Sequence, residues 1–378
     1  MSWREFRLEE IAEIQNHKRV PLSSMDRSKR QGNYPYYGAS GIVDHIDGYI
    51  FDGDFVLISE DGENLRTRKT PIAFKASGKF WVNNHAHIVK CKENYLSDIV
   101  VYYLKNTDLN EFISGAVQPK LNKASLTSIP FYLPEDKQEQ RTIATILSSL
   151  DDKIDLLHRQ NQTLEAMAET LFRQWFVEEA QEDWEEGKLD DVISVKGGTT
   201  PSTSIAEFWD GNIYWTTPRD LSNHNSVFMF TTARKITEKG LSQIGPGLLP
   251  VGTVLLSSRA PIGYLAITEV PLAINQGYIA IICNKIISNY FMYLWCKSNM
   301  EYIKNSGNGS VFQEISKSVF KEMSITIPPE AMLKKFDEEI ESTFLKIKTN
   351  QFQIQTLEKL RDTLLPKLMS GEVRVGYV

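Results

Sequence analysis

The sequence contains itself twice, and that duplication limits its possible folds more than any other feature. Residues 3–14 read WREFRLEEIAEI and residues 184–195 read WEEGKLDDVISV, with three of twelve positions identical and five conservative. The correspondence continues in order down the chain. GDFVLIS at 53–59 meets GTVLLSS at 252–258, and Val82-Asn83-Asn84 meets Ile274-Asn275-Gln276. LSDIVVYYL at 96–104 meets ISNYFMYLW at 287–295. Asn122-Lys123 and Leu133-Pro134 then meet Ser316-Lys317 and Ile327-Pro328, and QTLE…TL at 162–171 meets QTLE…TL at 355–364. Six matches in one order, at offsets from 181 to 199, are a tandem repeat of one folding plan.

Each half opens with a short amphipathic segment, continues in short strands with Gly-rich turns, and has a helix near 97–106 or 288–298. Strand assignments rest on β-branched and aromatic runs such as FVLI and YIAII, bounded by Gly, Asp and Pro. Pro134, or Pro328 with Pro329, then precedes a long helix. Asp136 with Glu139 forms the pattern of a capping box opening the first. Pro366 should kink the second, and Ser370-Gly371 should end it.

The long helices carry a heptad seam. In the first, Ile143, Leu147, Leu150, Ile154, Leu157, Asn161, Leu164, Ala168, Leu171 and Trp175 are spaced alternately four and three apart. The same positions shifted by 193 are Phe336, Ile340, Thr343, Ile347, Asn350, Ile354, Leu357, Arg361, Leu364 and Leu368. Two amphipathic helices could each pack on their own domain. A run from 143 to 175 is about 48 Å long, which favours pairing as an antiparallel coiled coil instead. The expected fold is α+β: two repeated mixed α/β domains separated by a long antiparallel two-helix coiled coil. The expected boundaries are 1–135 for the first domain, 136–180 for the central helix, 181–329 for the second domain, and 330–378 for the C-terminal helix and tail.

Composition excludes several classes. Apolar content of 42% and charged content of 24% are those of an ordinary globular chain, and no apolar run approaches the ~20 residues of a membrane helix. The charged N-terminus lacks a signal-peptide core, and three cysteines (Cys91, Cys283, Cys296) form no paired framework, so a cytoplasmic location is expected. There is no G-x-x-x-x-G-K-[ST] loop and no G-x-G-x-x-G. Of the histidines only His85 and His87 could share a strand face, without a recognisable acidic partner. Asp52, Asp54, Glu60, Asp61 and Glu63 could suggest nuclease ligands, but the second copy has Gly252, Thr253, Ser258 and Arg259 there. A repeat that drops its carboxylates in one copy is not reusing a catalytic site. The expectation is a non-enzymatic chain with no metal.

The net charge of −6 would argue against a nucleic-acid partner if it were evenly spread. It is not. Residues 1–135 are net 0, 136–180 net −4, 181–329 net −2 and 330–378 net 0. The acidity sits mainly on the first long helix, and the two domains are near neutral.

Two similar domains on an antiparallel coiled coil are related by an approximate twofold axis, the local symmetry of duplex DNA. In this architecture the chain resembles the specificity subunits of type I restriction–modification systems. The resemblance covers the whole chain: YPYYGASGI, FVLISEDGENL, the strand ending in Asn83-Asn84-His85, GAVQPKLNKASLTSIPFYLP, and EQRTIATILSSLDDKI. The second copy departs from the GAVQPKLN block, reading GNGSVFQEISKSVFKEMSITIP. The resemblance implies that each domain is a target-recognition domain for one half of a bipartite double-stranded DNA site. It implies that the helices dock two modification (methyltransferase) subunits, which bind S-adenosylmethionine and methylate adenine N6, and that a motor-nuclease subunit joins for restriction. The chain itself would bind no cofactor and make no bonds.

Where the two copies diverge, specificity should reside, which points to loops 15–50 and 60–80, and 197–250 and 259–273. The DNA-binding candidates there are Asn64, Arg66, Arg68 and Lys69 in the first domain, and Arg219 and Arg259 in the second. Arginine suits guanine edges, and Asn adenine edges. Lys120, in the GAVQPKLN block, joins them. Lys123 and Lys317 each follow an N-cap residue and suit phosphate. Tyr36, Tyr37 and Trp215 read as core or platform rather than as base-stacking groups.

Overall fold

A computed structural model describes residues 2–222, 226–309 and 313–376. The chain divides into two compact units, one of residues 1–155 with 356–378 and one of residues 156–355. The division falls inside both long helices, so each unit contains part of each helix.

The first unit opens with the strand Trp3–Phe6, paired antiparallel with Phe131–Pro134. Behind this pair lies a four-stranded sheet in the order Ala12–Ile14, Ala86–Cys91, Phe55–Ser59, Ala73–Ala76. Phe55–Ser59 is buried along its whole length, as a continuous apolar run between two neighbours should be. A second four-stranded sheet contains Gly41–Ile46, Gln31–Gly38, Lys79–Val82 and Phe51–Asp52. The helix Asn94–Asn106 covers the first sheet with Leu96, Ile99, Val100 and Leu104.

The second unit repeats this plan. Glu185–Lys188 pairs antiparallel with Ser324–Ile327. Its main sheet runs Ser194–Lys196, Tyr278–Ile282, Val254–Ser258, Ile262–Thr268, Phe228–Met229, and its smaller one Arg234–Ile236, Trp209–Thr216, Leu272–Ile274. In the second sheet of each unit the parallel strand pair ends in the same hydrogen bond: Asn83 N donates to Tyr37 O at 3.0 Å, and Asn275 N to Thr216 O at 3.1 Å.

The strand register corrects one alignment. Val56 faces Val89, and Val254 faces Ile281. Val89 and Ile281 are 192 apart, so Val56 corresponds to Val254 at offset 198, not to Leu255 at offset 199. The shared Gly53 and Gly252 drew the ungapped match one residue out of step. A one-residue slip would turn every side chain to the wrong face, so register decides.

The stretches read as loops also prove to be structured. Residues 15–50 contain a one-turn helix (Ser24–Ser28) and two strands, and the described part of 197–250 contains Trp209–Thr216 and five shorter elements. Residues 223–225, within the latter, lie outside the described residues, as do 310–312 of the block opening at Gly307. Within 259–273 lie the strand Ile262–Thr268 and the start of Leu272–Ile274, leaving short turns at 259–261 and 269–271. In the first unit the connection matching 259–261 is a loop of residues 60–72 carrying the single turn Asn64–Thr67.

The long helices span Lys137–Arg173 and Glu330–Ser370. Asp136 accepts from Gln138 N at 2.9 Å at the start of the first, while Glu139 is buried and held bidentate by Arg374 at 2.5 and 2.7 Å. The second helix continues past Pro366 and stops before Gly371, whose φ of 75° is the left-handed value expected of a terminating glycine. In the first unit 139 is joined to 374 and 151 to 361; in the second, 161 is joined to 350 and 172 touches 336. Within each unit the helices therefore run antiparallel.

Ile143, Leu147, Ile154, Leu157, Phe336, Ile340, Ile347, Ile354 and Leu368 are buried, and Leu150, Leu164, Leu171, Leu357 and Leu364 partly so. The seam is real, yet neighbouring positions Ala144, Phe172, Phe344 and Met369 are buried as well. Pairing and packing on a domain both occur, because a helix covered on two sides needs a wider apolar stripe than a seam alone. The polar break in the seam is a joined pair: Asn350 Nδ2 donates to Asn161 Oδ1 at 2.9 Å, and Asn161 Nδ2 to Ile347 O at 3.4 Å. One buried asparagine pair per seam disfavours every heptad-slipped register, which would bury an unpaired amide.

Candidate nucleic-acid interface

Three of the expected DNA-binding residues serve the fold. Asn64 clasps its own loop, donating to Thr70 O and accepting from Thr70 N, both at 2.9 Å. Arg66 donates to the carbonyls of Ala116 at 3.1 Å and Gly115 at 2.8 Å, fastening the 115–116 turn. Arg68, at a left-handed φ of 49°, caps the helix Asn94–Asn106 through the carbonyls of Leu104, Lys105 and Thr107. Their side chains are thus engaged within the unit, holding its own loop, a turn and a helix end. Lys69 and Lys123 stay exposed without a partner among the described residues, and Lys317 lies across Gly197. Asn122 and Ser316 do cap their helices, accepting from Ser125 N at 2.9 Å and Val319 N at 3.2 Å.

The two units share a deeper feature at the end of the central strand. Glu60 N donates to His85 O, and Leu121 N to Glu60 O, at 2.9 and 2.8 Å. Ser258 N likewise donates to Gly277 O, and Ile315 N to Ser258 O, at 2.8 and 3.0 Å. The next residues, Asp61 and Arg259, each form an isolated bridge, to Lys120 and to Glu314. Asp61 thus corresponds to Arg259, and Lys120 to Glu314. One backbone frame carries opposite charges in its two copies.

In the first unit this point is a closed polar network. Arg19 donates to Glu60 at 2.7 Å and to the carbonyls of Ala86 and Asn84 at 3.0 and 3.2 Å, and Lys120 lies 3.5 Å from Glu60. Burial pushes the Glu60 carboxyl up, but the Arg19 hydrogen bond and the neighbouring cations hold it below its ordinary value. His87 is fully buried; its Nδ1 faces Asn16 Nδ2 at 2.8 Å and its Nε2 faces Leu121 O at 2.7 Å. An amide donor on Nδ1 and a carbonyl on Nε2 define the neutral Nε2–H tautomer. His85 is not on that strand face: it sits in the preceding turn, half exposed, with Nδ1 2.9 Å from Asp61. Both histidines therefore have acidic neighbours that spacing in the sequence did not reveal. Among the described residues no group of three or more His, Cys, Asp or Glu is placed to hold a metal ion.

Burial lowers the His87 pKa below 6.5, although the Leu121 carbonyl and Glu60 oppose it. The unfolded chain then binds more protons than the folded one as pH falls below about 6.5. Stability of the first unit should decline there by at most about 1.4 kcal/mol per pH unit. His87→Gln should flatten that part of a stability–pH curve, measured by urea unfolding. An unchanged slope would remove His87 as its source.

In the second unit the same point is open. A cleft of about 370 Å³ is lined by Arg219, Arg259, Ser222, Tyr264 and Asn275, with backbone from Thr217, Ala260 and Gly277. Arg219 is exposed, and Arg259 meets Glu314 only at 3.6 Å. Asp220 is not part of the cleft: it accepts from Thr217 N at 2.7 Å and Ala233 N at 3.0 Å. Tyr36 and Trp215 are core residues, 0% and 3% exposed, and Tyr37 packs edge-on to Phe80.

A family model described as the type I restriction modification DNA specificity domain matches the chain twice, over residues 1–166 and 181–359. The chain belongs to the type I restriction–modification specificity family. The MjaIX specificity subunit of Methanocaldococcus jannaschii is 41% identical over 183 residues, 46% of this chain and 42% of that one. The HindI specificity subunit of Haemophilus influenzae is 25% identical over 330 residues, 68% of this chain and 71% of that one. The chain spans less than half the length of the first two curated relatives it matches. The crystal structure of a type I restriction–modification S subunit from M. genitalium aligns over 100% of this chain and 97% of that one, with TM-score 0.67 at 14% identity. That likeness shows the fold: two mixed α/β domains joined to a pair of long helices.

Sequence reasoning missed Arg19 and Glu314. The repeat at the corrected offset, which sets Asp61 against Arg259 and Lys120 against Glu314, finds Glu314; no sequence signal marks Arg19.

Proposed function

We propose that this chain is the DNA-specificity subunit of a type I restriction–modification complex. Each unit reads one half of a bipartite duplex target, and the paired helices receive two modification subunits and set the half-site spacing. The observation that carries this reading is the doubled family match on a doubled fold. S-adenosylmethionine and adenine methylation belong to the modification subunits, and a motor-nuclease subunit completes the restriction complex. The chain makes no bonds itself, and the assembly works in the cytoplasm. Among the described residues no helix is long and apolar enough to cross a membrane. Near-neutral domains suit weak DNA binding alone, strengthened by a partner's positive surface.

The chain with a type I modification subunit should shift duplex DNA containing one split sequence, with affinity falling steeply between low and physiological salt. Adenine methylation in cells carrying both should map to that sequence. Sequence-independent binding, or methylation at an unsplit motif, would sink the proposal.

A further inference from the structure

We infer that Arg259 is the guanine-reading residue of the second unit, and that the first unit cannot read guanine from the equivalent position. This deepens the DNA-specificity reading and rests on it. Arg259 directly follows the buried strand Val254–Ser258 and precedes Ala260, whose φ of 53° is left-handed. Ala260 pays a strain that glycine would avoid, so its conformation is held by the surrounding structure. A side chain that must meet a base edge within a few tenths of an ångström needs such a rigid mount. Arg219, on a single helical turn at the opposite wall, has none.

The electrostatics agree. The cleft lining holds two arginines and no carboxylate. The Glu314 contact at 3.6 Å, between side chains 38% and 49% exposed, is too long and too wet to hold the guanidinium against a better acceptor pair. Guanine offers that pair as O6 and N7 on its major-groove edge, matching the guanidinium fork. Asn275 flanks the cleft with Oδ1 fixed by Gly277 N at 2.9 Å and its Nδ2 without a partner among the described residues.

At the equivalent point of the first unit stands Asp61, an acceptor, already engaged by His85 Nδ1 at 2.9 Å. A carboxylate there repels the O6/N7 edge. The two half-sites therefore differ at the base pair facing this position, and the difference arises from one residue on a shared frame.

The test selects targets from randomised duplex DNA using the full chain with a modification subunit, for wild type, Arg259→Ala and Arg259→Lys. Wild type should recover a split sequence with a guanine in one half. Arg259→Ala should lose preference at that single base pair by roughly 5- to 150-fold, leaving the other half unchanged. Arg259→Lys should keep overall affinity yet discriminate poorly, because an ammonium cannot form the fork. If Arg259→Ala abolishes binding, Arg259→Lys decides alone. Uniform weakening across all sequences would make Arg259 a phosphate contact and overturn the inference, as would unaltered preference in both variants. A wild-type complex that selects no sequence would instead refute the DNA-specificity reading itself.

Discussion

Phe336→Ala should cost the second unit about 3–5 kcal/mol of unfolding free energy, a large fraction of the stability of a typical domain. Phe336 is 0% exposed on the second long helix. Its ring centroid lies 4.8 Å from Phe176, 5.7 Å from Trp175, 6.0 Å from Phe172 and 6.3 Å from Phe291. Three of those contacts, with Phe176, Phe172 and Phe291, are edge-on at 70° or more, as aromatic quadrupoles prefer. Truncation therefore removes both buried area and favourable ring contacts, and neighbouring rings cannot collapse into the space without losing their own geometry. Phe352→Ala, at a side chain 61% exposed on the same helix, should change stability by less than about 0.5 kcal/mol. Urea unfolding followed by tryptophan fluorescence reads both, with the two units allowed separate transitions. A loss below about 1 kcal/mol for Phe336→Ala would show that this cluster is peripheral.

Phe336 was legible in the sequence as a seam position, because a 3.5-residue period over ten positions marks an apolar face of a long helix. The same holds for Phe55–Ser59 and Val254–Ser258, whose unbroken apolar runs read as buried strands. Asn122 and Ser316 were legible as caps because a cap is local chemistry. What stayed hidden depends on tertiary context. QGNYPYYG and WDGNIYWT look like loop because Gly, Pro and Asn interrupt them, yet partner strands make each an eight-residue strand. Arg66 and Arg68 look like a free basic patch, and only the fold brings the carbonyls of residues 104–116 beside them. The sequence marks where positive charge lies, but not whether the fold has already used it.

Exchanging residues 1–135 for the matching segment of another family member should replace one half of the DNA target and leave the other half intact. Specific sites are typically favoured over others by 10³ or more, so methylation should move to the hybrid site almost completely. The structure adds a condition. Ile143, Ala144 and Leu147 of the first helix, and Leu365, Leu368 and Met369 of the second, belong to the same core as Leu8, Ile99 and Phe131. Asp151 accepts from Tyr102 at 2.6 Å and from Arg361 at 2.7 Å, and Glu93 binds Lys137 and Arg141 at 2.8 and 2.6 Å. An incoming segment with different volumes there would leave cavities, and one lacking Glu93 or Tyr102 would strand helix charges. Such a hybrid would lose stability before it lost specificity. Exchanging residues 1–155 together with 356–378 transfers the matching helix faces and should rescue folding without altering the target. A rescued hybrid that changed both half-sites would mean the two units do not read DNA independently, and an unchanged target would mean the first unit does not read it at all.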